Sequence, residues 1–403
     1  MIPITTTQTT LSIEKTAKLL QSLVNLKQHT EESCANSIPQ DILQCMNDIL
    51  QAQEKLVRKI DHKLHSEDLY VWTSQNKEFP MVSTIVETCP EFLATKDNDR
   101  GKLPVHLGVY DDKYFQLYSK IGHQHGIGGE ESRGGLLVED DGGENVLQAL
   151  CCPWNLEMLR KMDPPLFSMD DVVKYNLLHK VAGQHFGGLD IMTYFCNLDP
   201  SCLFLRGLLV NSTCTRIDVM PIHHAIINRE QLDGEISFLL RSAVSHFPAN
   251  QSIGGLFTPI EDGKVMIHYM CAKFGPEKTW DFIETALSGL SKFPLLLRTI
   301  EHCPEYCTDV IQRFPDSVYE CDPCDSRLPV HIAVERGMKW SMELILLMNA
   351  TQQYLKYVDP VTKLPVFALA GMSDDSCDLR TIYHLLRKNP EQIDVLKDGS
   401  CRE

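Results

Sequence analysis

Four cysteines fall in one short stretch, Cys303, Cys307, Cys321 and Cys324 of EHCPEYCTDVIQRFPDSVYECDPC. Two pairs of closely spaced thiols, C-x-x-x-C and C-x-x-C, are the pattern by which proteins hold structural zinc. If they met in space, they would make the chain a zinc-dependent regulator or enzyme centred on this region. The plainer reading is also open. Cys303 and Cys307 border a helical stretch and would be core thiols, while Cys321 and Cys324 fall in an Asp- and Pro-bearing turn.

Histidine is the second chemical residue type with a pattern. It recurs two places after a small apolar group: His106 in LPVHLG, His179 in NLLHKVA, His223 in MPIHHAI, His268 in VMIHYMC and His331 in LPVHIAV. Gln148 in NVLQALC and Phe367 in LPVFALA occupy the same frame. A catalytic centre needs one histidine beside a nucleophile and an orienting group, not one at the same place in every segment. Recurrence at a fixed position predicts a structural role. The chain also lacks a G-x-S-x-G elbow, an H-E-x-x-H helix, a kinase set and a dinucleotide fingerprint. The glycine-rich GHQHGIGGEESRGG, with His123 and His125, has no Lys-Ser/Thr in register for a phosphate loop and reads as a mobile loop. No enzyme and no cofactor are expected.

The elements that must position these histidines form a repeat. Between His106 and Phe367 the frame recurs with a mean spacing of about 43 residues, and the long interval between His268 and His331 leaves room for one more unit around RTIEHCPEYCTDVIQRFP. A second marker runs in step: a helical stretch ends at Pro90, Pro200, Pro248, Pro294, Pro315 and Pro390. Proline cannot continue a helix, so each is a stop. Before Pro248, Ile236, Leu239, Leu240, Ala243 and Val244 share one helical face. Asp, Gly and Pro in DNDRGK, CDPCDSR, VDPVTK and EDGK precede the two LPVH phrases, LPVF and VMIH and supply a tight turn. Each unit is turn, helix, link, helix, proline.

This layout resembles the ankyrin repeat, whose β-turn and two antiparallel helices carry a T-P-L-H-x-A phrase at the first helix. LPVHIA matches it with Pro329, Val330, His331 and Ala333, and MPIHHA with Pro221, Ile222, His223 and Ala225. The resemblance implies that His106, His179, His223, His268 and His331 bridge backbone groups within and between units. The chain departs from the pattern where Leu or Met replaces the Thr and where the turns are enlarged. Three enlargements share Gly-Leu-Leu/Phe, starting at Gly135, Gly207 and Gly255, and read as β-hairpin fingers, with Leu136, Leu137 and Val138 as strand in the first.

The expected fold is all-α-dominated: an α-solenoid of divergent ankyrin-like helix pairs with short β-hairpins, preceded by an N-terminal helical hairpin. Residues 1–72 are that hairpin, capping the array or recruiting a second protein, with a dimerising coiled coil as the alternative. Residues 73–395 are the array of about seven units, and 396–403 a tail. The net charge of −16 speaks against nucleic acid, and no run of apolar residues is long enough for a membrane span. The 15 scattered cysteines and the absence of a signal-like N-terminus place the chain in the cytoplasm or nucleus, not among secreted proteins. The expected role is a non-enzymatic scaffold for protein partners. Glu139, Asp140, Asp141 and Glu144, at the first finger, would steer a partner's basic segment, unless they serve only as a solvated turn.

Overall fold

The computed structural model describes residues 82–393, apart from 84–85, 88–89, 98–99, 163–165, 185–187, 211–215, 249, 262, 291–292, 352–357 and 373–377. The helical hairpin expected over 1–72 and the tail 396–403 lie outside the described residues. Helix dominates what is described: 17 α-helices and two short two-stranded hairpins. No described helix is long and apolar enough to cross a membrane. The chain divides into two compact units, Met1–Leu177 and Leu178–Glu403.

In the first unit, a 3-10 turn (Pro90–Ala94) precedes α1 (Pro104–Gly108) and α2 (Asp112–Gln124). Then come α3 (Val146–Ala149), α4 (Leu156–Lys161) and α5 (Met169–Lys174). Asp111 starts α2 by accepting a hydrogen bond from the Lys113 N–H, one of the donors a helix N-terminus leaves unpaired. Helix α1 packs on α2 and α3, and α2 on α4. Phe115, Tyr118, Leu136, Leu147 and Leu159 fill the core between them.

The second unit runs from α6 (Leu177–Gly183) and α7 (Leu189–Leu198) to a hairpin, β1 (Gly207–Val210) against β2 (Arg216–Val219), with Gly207 opposite Val219. Helices α8 (Pro221–Asn228) and α9 (Gly234–His246) follow, then β3 (Pro259–Glu261) and β4 (Lys264–Val265). After them come α10 (Met266–Phe274), α11 (Pro276–Leu287), α12 (Leu295–His302) and α13 (Cys307–Arg313). The last four are α14 (Pro329–Glu335), α15 (Met342–Ala350), α16 (Val366–Met372) and α17 (Leu379–Lys388).

Their packing has a simple rule. Partners within a pair touch: α8 and α9, α10 and α11, α12 and α13, α14 and α15, α16 and α17. The second helices also stack on one another in the order α7, α9, α11, α13, α15, and the first helices α12, α14 and α16 do the same. The long His268–His331 interval does contain a further pair, α12 with α13. The face read from the α9 sequence is the buried one: Ile236, Leu239, Leu240, Ala243 and Val244 all lie inside. Every residue of it is within one or two helical turns of the next, so the stripe meets the neighbouring helices as a continuous strip.

The fingers need correction. Only the second, from Gly207, is a hairpin where the sequence placed it. Leu136, Leu137 and Val138 are not strand. Arg133, Gly134 and Gly135 all have positive φ (50°, 76° and 90°), which coils the chain into consecutive turns. Leu136 is then buried completely rather than paired across a ladder. At the third finger, Gly254 and Gly255 (φ 62° and 100°) impose the same coil, so its strands start four residues later, at Pro259.

Candidate functional site

The recurring histidines make one local device. In α1, α8 and α14 a proline is the first helical residue and histidine the third; the proline costs nothing because its N–H would be unpaired there. The ring turns back on the cap. Nδ1 accepts the Leu103 N–H at 3.2 Å in His106, the Met220 N–H at 3.3 Å in His223, the Val265 N–H at 3.3 Å in His268 and the Leu328 N–H at 3.2 Å in His331. A backbone N–H only donates, so Nδ1 carries no proton and the ring is the neutral Nε2–H tautomer. The bond satisfies the backbone N–H of the N-cap residue itself.

The other ring nitrogen reaches ahead. Nε2 donates to the Val138 carbonyl from His106 at 3.0 Å and to the Gly255 carbonyl from His223 at 2.9 Å. His179 does the same to Val219 at 2.9 Å, and His268 meets the Glu305 carboxylate at 3.0 Å. His106, His179 and His223 therefore tie the starts of their own helices to the following turn or hairpin, and His268 reaches a side chain 37 residues on. Burial lowers the pKa of His106 and His179 and takes His223 down to about 4, because a charged ring there would lack water to solvate it.

His179 lacks half of the device. Asn176 before it has φ 51°, and its N–H donates to the Val173 carbonyl instead. Among the described residues, His179 Nδ1 has no hydrogen-bond partner. The two degenerate frame members keep the bond by other means. Gln148 Oε1 accepts the Asn145 N–H at 3.0 Å, with Asn145 Oδ1 accepting the Gln148 N–H in return. At Phe367, the Leu364 N–H goes to the Thr362 hydroxyl at 3.3 Å.

The turns carry a second recurring group. Asp97 accepts the Arg100 and Lys102 N–H groups, and Asp322 accepts that of Cys324. The Asp97 and Asp322 N–H groups each donate to a carbonyl five residues on, Lys102 and Arg327. An arginine from the preceding segment then meets the turn aspartate: Arg298 to Asp322 and Arg327 to Asp359, each at 2.7 Å and buried.

The acidic residues of the first finger separate. Glu139 and Asp141 are exposed, but Asp140 turns inward. Its carboxylate accepts the Gly142 and Glu144 N–H groups and lies 3.7 Å from the Lys102 ammonium. Asp140 thus holds the turn together, and only its neighbours are free to vary without touching the fold. Glu144 is half-buried.

The four cysteines are not brought together. Cys303 and Cys307 lie inside, whereas Cys321 and Cys324 are exposed in the turn before α14. Among the described residues no group of three or more His, Cys, Asp or Glu side chains is arranged to hold a metal ion. Burial raises the pKa of Cys303 and pushes Cys307 up to about 12, so both stay thiols and behave as core residues. His123 and His125 are exposed at the end of α2.

One feature escaped the sequence reading. Pro248 and Pro315, which follow helix ends as expected, and Pro294, which instead caps the start of α12, line a single groove of 990 Å³ in the second unit, together with Phe293, Phe314 and Tyr319. Phe293 and Phe314 pack edge to face, 6.3 Å between centroids. Arg313, Asp316 and Glu320 supply its polar rim. The dipeptide Phe-Pro at 247–248, 293–294 and 314–315 was the available signal. At 247–248 and 314–315 it follows the ends of the second helices α9 and α13, while Pro294 sits at the N-cap of the first helix α12.

The chain matches no protein-family model, and no curated protein is significantly similar to it.

Proposed function

We propose that this chain is a non-enzymatic protein-binding scaffold, a solenoid of divergent ankyrin-like units. The observation that carries the reading is the histidine device: the same Nδ1 cap in four helices, remade by Gln148 in a fifth. A bond that recurs at the start of the first helix in several pairs belongs to the construction of an array, because each pair must be tied to the next to bury its open face. The alternation of stacked first and second helices supports the same reading. His106 and His223, with both ring nitrogens on backbone groups, are poorly placed for proton transfer, which favours a scaffold over a catalyst. The separation of Cys303 and Cys307 from Cys321 and Cys324 gives the zinc-dependent alternative no support. The reading places the chain in the cytoplasm or nucleus, on its abundance of free thiols.

The test is isolation of a complex. Tagged full-length protein is cross-linked in cells, and a captured partner is purified with it at fixed stoichiometry. The scaffold reading expects a protein partner whose cross-links fall within residues 82–393 and whose binding survives without turnover of any co-purifying small molecule. Recovery of the chain alone, or of a stoichiometric metal or cofactor with a measurable turnover, overturns it.

A further inference from the structure

We propose that the solvent-facing stripe of the last described helix, α17, docks an acidic amphipathic helix of a protein partner, with Arg380 and Arg387 receiving its carboxylates. The proposal rests on the scaffold reading and names where, and by what chemistry, the partner is held.

Helix α17 packs on only part of its apolar side. Its buried residues are Thr381 and Leu385, whereas Leu379 is 76% and Tyr383 59% exposed. Positions four apart share a helix face, so Leu379 and Tyr383 lie one above the other, with half-buried Leu386 beside them. A leucine in water and a threonine inside mean that the apolar arc of the sequence is turned away from the packed side. Covering its exposed part would remove apolar surface from water. Tyr383 is already positioned for such a contact: its ring meets His384 edge-on at 5.5 Å, and His384 stacks on Trp340 at 4.6 Å. A ring held in this way loses little freedom on binding.

The packing of the unit indicates which element fits there. Each earlier second helix is covered by the next: α7 by α9, α9 by α11, α11 by α13 and α13 by α15. Among the described residues no helix follows α17. A stripe at i and i+4 is complementary to another helix, whose side chains enter the gaps between its rows.

Charge selects the kind of helix. Arg380 stands three positions before Tyr383 and Arg387 four after it, so both border the stripe. Both are exposed, and neither guanidinium has a hydrogen-bond or ion-pair partner among the described residues. Lys388 gives a hydrogen bond to the Asn349 side chain at 3.1 Å, which leaves its charge unneutralised. Leu379–Lys388 contains no acidic residue. Asp378, at the N-cap, is turned to the Arg380 N–H and the Thr381 hydroxyl and feels the charge of Lys339. Glu391, beyond the helix, already has a partner. Residues 373–377 and 394–403 lie outside the described residues and form no part of the site. The net charge of −16 opposes an acidic partner at long range. Beyond about 8 Å that opposition is screened at physiological ionic strength, so the two guanidiniums decide at contact. A second copy docked symmetrically would bring Arg380 and Arg387 against like charges, which disfavours it as the occupant.

The probes are three fluorescein-labelled synthetic helices that share one apolar stripe and carry Glu, Gln or Lys beside it, titrated by fluorescence anisotropy into the full-length chain at physiological ionic strength. The Glu helix should bind at least about tenfold more tightly than the Lys helix, with the Gln helix between. The variant Arg380→Glu/Arg387→Glu should reverse that order, and its gain for the Lys helix is a result that unfolding could not produce. Tyr383→Ser should weaken all three, with circular dichroism showing that the fold is kept. No binding, equal binding of the Glu and Lys helices, or a preference that the charge reversal leaves unchanged overturns the assignment. So does self-association that the reversal abolishes, because the occupant is then a second copy. Binding to phosphatidylserine vesicles that the reversal abolishes likewise overturns it in favour of a lipid surface. A stoichiometric partner that binds the reversed variant as well as the wild type removes this inference and leaves the scaffold reading standing. No partner and no binding of any helix removes both.

Discussion

Arg327 Nε lies 2.7 Å from Asp359 Oδ1, and the two residues are 32 positions apart and both buried. Arg327 is the residue before the Leu-Pro-Val-His phrase, and Asp359 opens the next turn. The carboxylate also accepts the Thr362 N–H and hydroxyl. One ion pair therefore fixes the turn of one unit to the cap of the unit before it, alongside the histidines that tie helix starts to following turns. Arg298, the fourth residue of α12, makes a like ion pair with Asp322 in the turn that follows one unit earlier.

Truncating Arg327 should be costly because it strands a buried charge. Arg327→Met is expected to destabilise by about 3–5 kcal/mol, whereas Arg327→Met combined with Asp359→Asn, which removes the stranded charge and keeps an acceptor for Thr362, should recover part of that loss. Urea denaturation of the three proteins decides it. A single variant as stable as the wild type would show that the pair contributes nothing.

The histidine cap can be separated from the histidine. His223→Ala leaves the Met220 N–H and the Gly255 carbonyl unsatisfied and should cost about 1–3 kcal/mol. His223→Gln should recover part of it, since Gln148 makes the same cap bond with its Oε1. If Gln is no better than Ala in thermal melts, the cap bond is not what the position supplies.

Acid should weaken the fold before any carboxylate is protonated. Burial holds His223 and His224 at about 4 and lowers His106 and His179, while an unfolded histidine titrates near 6.5. Between those values the unfolded chain binds more protons, so stability is fully present above about pH 6.5 and is lost as pH falls toward 4. Urea midpoints at pH 7.5, 6 and 5 should decline in that order. Flat midpoints would mean that the rings take up protons in the fold as readily as in the unfolded chain.

Asp140 and Asp141 should part company. Asp140→Asn removes a charge that faces Lys102 and weakens the acceptor of two backbone N–H groups, and is expected to cost about 1 kcal/mol. Asp141→Asn, at an exposed side chain, should stay within about 0.5 kcal/mol of the wild type. Matched melts compare them, and equal losses would contradict the inward placement of Asp140.

Thiol labelling tests the dispersal of the cysteines. Iodoacetamide applied to the native protein and read by peptide mass spectrometry should modify Cys321 and Cys324 readily and spare Cys303 and Cys307. Protection of all four, released together by a chelator, would instead mean that they share a metal.

By itself the sequence determined whatever depends on residues a few positions apart. Proline at the first helical position, histidine at the third and the cap between them are one short segment, so Leu103 to His106 and Leu328 to His331 announce their helix starts. The apolar stripe of Ile236, Leu239, Leu240, Ala243 and Val244 is likewise a local periodicity, and it named the buried face of α9. Tertiary structure alone decided what depends on distant partners or on backbone angle. Strand and tight turn share the same Gly-Leu-Leu letters, and only the positive φ of Gly134 and Gly135 sent Leu136 into the core. Asp140 and Asp141 are the same residue type side by side, and the position of Lys102 drew one of them inward. The pairing of Arg327 with Asp359 and the meeting of Pro248, Pro294 and Pro315 in one groove arise from stacking, which brings segments together at a spacing that no single stretch of sequence contains.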